Sequence, residues 1–230
     1  MSTLPWLDDG DITFPDPDLA LTDPNGLLAV GGILSPERLL EAYSFGIFPW
    51  FEEGQPVLWW TPDPRMVLFP GELHISKSLA KAIKKAPFLL TSDRAFREVM
   101  QACAGDRPYA RGTWITEEMI EAYCQLHDLG YAHSVEAWEG GTLVGGLYGI
   151  AMGKVFFGES MFSHRDNASK IAFSHLVKTL KDTGYALIDC QVPSDHLASF
   201  GAREISRADF MKQLPKRDSN SRQPGQWPLQ

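Results

Sequence analysis

Asp189 and Gln191 stand two residues apart in "YALIDCQV" (185–192), whose other side chains are mostly apolar. An extended strand alternates its side chains, so the carboxylate and the amide would share one face and Cys190 would take the other. Two polar groups on one face of an apolar strand need hydrogen-bond partners or a chemical task. A carboxylate beside an amide can orient and polarise it. It can also accept a proton, but a carboxyl of pKa near ~4 is a weak base toward an ammonium unless burial raises it. A structural role is also open, with Asp189 capping the turn at "VPSDH". Glu159, in "FFGESMF", is a second candidate. A carboxylate among aromatic residues is costly to bury without a partner, and its plain alternative is a bond to a backbone N–H. Gly158 beside it would let a ligand approach the backbone.

Other chemistries find no support in the spacing. The six histidines, His74, His127, His133, His164, His175 and His196, show no metal-binding pattern, and no Cys-x-x-Cys is present. Cys190 as a nucleophile would need a paired histidine and faces away from Asp189. There is no phosphate-binding P-loop. Metal and cofactor are therefore both expected to be absent.

The elements that must hold these residues follow from caps and breakers. Residues 1–65 are rich in proline and tryptophan, in "FPDPDLALTDPNG", "FPW" and "WWTPDPR". Proline at this density forbids long regular elements. One helix is clear there, capped by Ser35, with Pro36 in its first turn and Gly46 past its end. We expect a small, loop-rich N-terminal domain over 1–65. From residue 66 the pattern is regular. Ser76, Ser92 and Thr116 are expected to cap three helices, the last ending at Gly130. "AHSVEAWE", "TLVGGLYGIAM" and "KVFFGESMFS" follow, with turns at Gly140-Gly141 and Gly153, the pattern of an antiparallel meander. Asn167 opens a helix closed by Gly184, and "ALIDCQV" is the next strand. This order predicts an α+β (mixed α/β) domain over 66–214. Residues 215–230 are expected to be a weakly ordered tail.

The chain of 230 residues carries a net charge of −8. Seven acids and no lysine or arginine lie within residues 1–37, so the remainder is nearly neutral. A local basic patch could therefore still hold phosphate. No stretch approaches the ~18 apolar residues of a membrane helix. "MSTLPWLDDGD" has no signal-peptide character, and three scattered cysteines fit a reducing cytoplasm. No membrane partner is expected.

Three antiparallel strands, a helix and a further strand resemble the core of GNAT acyltransferases. The stretch "FSHRDNASK", where the acyl-CoA users place a glycine-rich loop, has no glycine, which disfavours a CoA donor. A more specific resemblance rests on "PNGLLAVGG", "GIFPWF", "LWWTPDPR", "ELHISKS", "GTWIT", "GGLYG", "FFGESMFS", "NASK" and "IDCQV" in that order. Together they resemble the leucyl/phenylalanyl-tRNA–protein transferases over about residues 12–210.

The resemblance implies a small N-terminal domain followed by a GNAT-like acyltransferase domain. It implies transfer of Leu or Phe, and weakly Met, from aminoacyl-tRNA to the N-terminal Arg or Lys of a protein, which marks that protein for degradation. Asp189 would polarise Gln191, whose amide meets the reacting amine; relay and orientation both stay open. Glu159 would bind the donor's free amino group. Met161, Leu147, Phe173, Leu176 and, by family position, Ile188 would line a pocket for the donor side chain; ordinary core is the alternative. Trp50 and Trp114 match positions that stack on the terminal adenosine, or else they pack between the domains. Trp59 and Trp60 are taken as structural. Lys77, Lys81 and Lys84 form one helical stripe, with Lys85 beside it, matching a basic cluster that tracks tRNA phosphates; taken alone, they would be a solvated face. Two rivals compete: a GNAT enzyme with a different donor or acceptor, and a tRNA-binding module without catalysis.

Overall fold

The computed structural model describes residues 4–105, 114–215, 224 and 227. In chain order the strands and helices of the first unit are β1 (Trp6–Leu7), β2 (Leu27–Gly31), α1 (Pro36–Ser44), β3 (Phe48–Pro49) and β4 (Leu58–Trp60). Those that follow are β5 (Arg65–Leu68), α2 (Lys77–Lys84), β6 (Leu89–Ser92), α3 (Phe96–Ala104), α4 (Glu117–Asp128), β7 (Ala132–Glu139), β8 (Thr142–Met152) and β9 (Val155–Ser163). The chain then forms α5 (Ala168–Asp182), β10 (Leu187–Gln191), α6 (Asp195–Ala198), β11 (Arg203–Ile205) and α7 (Arg207–Met211).

Two sheets result. The first has order β1-β2-β4-β3 and the second β11-β5-β10-β9-β8-β7-β6. The chain passes from one to the other between Trp60 and Arg65. The larger sheet has helices on both faces, α3 and α4 against one and α5 against the other. The fold is mixed α/β, as the element order predicts. One core cluster joins Leu39 and Trp59 of the first unit to Val99, Met119 and Phe157 of the second. A second cluster lies under α5 and includes Leu147, Phe156, Phe173, Leu176 and Ile188.

Several caps behave as expected. The hydroxyls of Ser35, Ser76 and Thr116 accept from the backbone N–H of Arg38, Leu79 and Met119. The meander β7-β8-β9 is antiparallel throughout. Gly145 lets α5 approach it closely, since a Cβ there would come within 2.5 Å of the Ala168 Cβ.

Ser92 does not cap a helix. It ends β6, which pairs with β7, and α3 starts only at Phe96. The break is made by Asp93 at φ 56, whose carboxylate accepts from the Ser134 N–H and pairs with His133. That pairing gives the strand a partner that a local reading of Ser92 could not reveal. The expected tail lies largely outside the described residues, but Trp227 is buried. Its ring stacks on His133 at 4.0 Å between centroids, and its N–H donates to the Ser92 hydroxyl.

Candidate active site

The parallel strands β9 and β10 pair only from Leu187↔Val155 to Asp189↔Phe157. Beyond that point they part. A cavity of about 320 Å³ opens in the gap, within the ordinary size range for a small-ligand pocket.

Two bulges face each other across this gap. On β9, Tyr148 pairs with Ser160 and Gly149 with Gly158, so Glu159 is the extra residue. On β10, Asp189 pairs with Val67 and Gln191 with Met66, so Cys190 is the extra residue. A bulge re-aims side chains by shifting strand parity. Glu159 and Met161 would share a face in a regular strand. Instead Glu159 meets tyrosines from the α4 side, while Met161 packs against the cluster under α5. Gly149 permits the kink, because a Cβ there would collide with the Phe157 carbonyl oxygen.

The same effect corrects the expected alternation at Asp189 and Gln191. Gln191 sits in the left-handed region at φ 57, a conformation that costs a non-glycine residue about 1–2 kcal/mol. Asp189 Oδ1 holds it there by accepting the Gln191 N–H at 3.0 Å. The turn sends the Gln191 amide toward Glu159, with Nε2 donating to Oε1 at 3.4 Å. Both side chains reach the side of the sheet where Tyr43 and Arg65 lie, through a backbone turn rather than strand periodicity.

Asp189 is fully buried and paired with Arg65, which is equally buried. Arg65 Nε donates to Oδ1 at 2.8 Å and Nη2 to Oδ2 at 2.6 Å. Nη1 donates to the Gly46 carbonyl at 2.9 Å, and the guanidinium lies over the rings of Phe48 and Phe210. Both carboxylate oxygens are thus committed. The geometry is that of an orienting group holding a strained backbone, its charge neutralised by a bidentate guanidinium.

Glu159 faces the cavity in a protein cage. The Tyr43 hydroxyl lies 2.8 Å from its Oε1 and the Tyr123 hydroxyl 3.3 Å from its Oε2, and the two hydroxyls also touch each other, so their two protons are shared over three contacts. Burial lifts the carboxyl to about 7, with the Asp189 charge adding to the rise; Tyr43, Tyr123 and Arg65 work against it. Burial, and then the Glu159 charge, pushes both phenols well above their ordinary range, so they remain donors. A carboxylate held this way has its remaining acceptor capacity open toward the cavity. It suits a small cation such as an ammonium.

The cavity's apolar floor is made by Leu147, Phe156, Met161, Phe173 and Ile188. Ile188 faces away from Asp189, as strand parity requires, yet borders the cavity because the strands have parted. Leu176 does not border it; it is fully buried on α5 within the same cluster. Trp50 and Trp114 stand on the cavity wall, and Gly158, Glu159, Asp189 and Gln191 line it too. Trp50 is 44% exposed, and Trp60 steadies it by donating its indole N–H to the Trp50 carbonyl. Trp59 is buried in the core, its N–H on the Gly31 carbonyl. Lys77, Lys81, Lys84 and Lys85 lie apart from the cavity, exposed along α2, and form no ion pair among the described residues.

Sequence reasoning missed Arg65, Tyr43, Tyr123 and His196. Arg65 had a signal, a single cation at the end of a proline-rich stretch and just before "MVLF". The tyrosines had none, because α1 and α4 bring them together from opposite ends of 80 residues. Asp93, His127 and His133 also converge, a grouping with no sequence spacing to announce it. His133 bonds Asp93 and the Gly130 carbonyl through its two ring nitrogens, and His127 bonds the Ala132 carbonyl through Nδ1.

Two family models match the chain. Residues 67–215 match the leucyl/phenylalanyl-tRNA protein transferase model and residues 32–63 match the model of its N-terminal domain. The chain is 60% identical over 211 residues to the leucyl/phenylalanyl-tRNA–protein transferase of Stutzerimonas stutzeri strain A1501, covering 92% of this chain and 93% of that one. It is 59% identical to the protein of the same name from Pseudomonas fluorescens strain Pf0-1, covering 93% and 94%. Against the Cellvibrio japonicus protein the identity is 58%, covering 92% and 90%. Among solved structures, a GCN5-related N-acetyltransferase from Kribbella flavida aligns over 71% of this chain and 58% of its own, at 13% identity and a TM-score of 0.38.

Proposed function

The chain belongs to the leucyl/phenylalanyl-tRNA protein transferase family, and on that premise we propose that it moves Leu or Phe from a charged tRNA onto the N-terminal Arg or Lys of an acceptor protein. It is an aminoacyltransferase by family. Weak use of Met-tRNA and marking of the acceptor for degradation belong to the same proposal. So do a domain boundary near residue 65 and a cytoplasmic setting.

The observation that carries the reading is the pairing of an apolar cavity with a caged carboxylate at its edge. A donor aminoacyl ester has an ammonium and an apolar side chain on one carbon. Glu159 takes the ammonium, and Leu147, Met161, Phe173 and Ile188 enclose the side chain. Met161 gives the wall enough pliancy for both Leu and Phe. Leu176 supports this wall from behind. Trp50 and Trp114 hold the terminal adenosine, each stacking contact worth about 1–3 kcal/mol. Gln191 then lies beside the ester carbonyl, where its amide can orient the incoming amine.

In the reaction the neutral α-amine of the acceptor attacks the ester carbonyl carbon. A C–N bond forms, the bond from carbonyl carbon to ribose oxygen breaks, and the amine's proton ends on that oxygen. Asp189 acts one step removed, holding Gln191 in its strained turn. The lysines of α2 follow the phosphates of a tRNA stem. No cofactor or metal enters this scheme.

The test is transfer of labelled Leu, Phe, Met, Ile and Val from their tRNAs to an Arg-initiated peptide. Products are expected with Leu and Phe, weakly with Met, and with neither β-branched residue. No product from Leu-tRNA or Phe-tRNA would refute the reading.

A further inference from the structure

Aminolysis at neutral pH needs a proton acceptor, because an α-amino group with a pKa of about 7.7–8.0 is mainly ammonium there. The titratable groups on the cavity wall can be taken in turn. Asp189 has both oxygens on Arg65. Glu159 is caged by two tyrosines and, on the reading above, occupied by the donor's ammonium. Burial pushes the Cys190 thiol far up, and Tyr148 is a phenol, which is no base near neutrality.

His196 remains. It lies on α6, just past the β10 bulge, and lines the same cavity as Gln191. Its ring packs edge-on against Phe200 at 5.4 Å, and among the described residues no hydrogen bond engages its ring nitrogens. It is half-buried and therefore reachable. Burial, and then the charge of Lys170 on α5, lowers its pKa, so the imidazole is neutral and able to accept a proton. The carboxylates of Glu159 and Asp189 on the same wall are turned to their own partners.

We propose that His196 is the base that takes the proton from the acceptor's α-ammonium in this cavity, which rests on the transferase reading above. The ammonium's first proton passes to the imidazole and on to solvent. The amine so freed attacks the ester, and its next proton leaves with the ribose oxygen. Ammonium and ester thus give amide, free ribose hydroxyl and one released proton.

The experiment is single-turnover transfer from Leu-tRNA to an Arg-initiated peptide by the wild type, His196→Gln and His196→Asn. At about pH 6.5 the variants are expected to lose about 10–30-fold in rate, the full advantage of neutralising an amine of pKa about 7.7–8.0. Near pH 8.5, where the peptide amine is already neutral, they should come within about threefold of the wild type. Added imidazole should restore part of the rate at low pH. A loss of equal size at both pH values without imidazole rescue would overturn the proposal, since it marks a positioning role. So would an unchanged rate in both variants. Failure of the wild type to transfer at any pH would instead sink the reading of the site, and this proposal with it.

Discussion

Glu159→Gln is the sharpest test of how the cavity is built. The carboxyl's rise from an ordinary 4.5 to about 7 means that the native state holds its proton through a window where the unfolded chain has released it. The sign follows from linkage: stability falls as pH rises through that window, and the cost is complete above about 7. A rise of this size corresponds to about 3 kcal/mol on the charged form, and the residual exposure of the carboxyl trims it to about 2. Glutamine mimics the protonated acid and keeps an acceptor for Tyr43. Urea unfolding should therefore show the variant more stable than the wild type by about 2 kcal/mol at about pH 8, and matched to it near pH 4. Transfer of Leu should fall by about 10²-fold or more, because the donor's ammonium loses its counter-charge. A stability difference that is the same at both ends of the pH range would refute the reasoning.

Arg65→Met should cost about 3–5 kcal/mol of unfolding free energy, because it strands Asp189 in a dry interior. Adding Asp189→Leu should recover part of that loss, and a strictly additive double-mutant cycle would count against the pair as described. Trp50→Ala, at an exposed rim position, should leave stability within about 1 kcal/mol while weakening charged-tRNA binding by about 1–3 kcal/mol in a filter assay. Replacing Lys77, Lys81 and Lys84 with Ala should reduce the slope of log affinity against log salt by about 0.9 for each duplex phosphate that the helix no longer neutralises. An unchanged slope would remove α2 from the tRNA surface.

Much of this protein was legible along the chain. Caps at Ser35, Ser76 and Thr116 use hydroxyls within three residues of their targets, so local sequence suffices to place them. The meander and the following helix are announced by glycine turns and by apolar runs of the right length. Asp189, Gln191 and Glu159 stand out because a polar group in an apolar run requires an explanation wherever it occurs.

What local sequence could not decide was where those polar groups would point and what would hold them. Strand alternation assumes an unbroken ladder, and both cavity strands break theirs at the residue in question. A bulge is a relation between two strands, so one strand's sequence does not contain it. Arg65 reaches Asp189 across 124 positions, and Tyr43 reaches Glu159 across 116. Such pairs arise because packing two helix layers on a parted sheet leaves buried charges that only distant residues can satisfy. The composition and order of the residues therefore settled which groups were available, and tertiary packing decided which of them reach the cavity and which partners hold them.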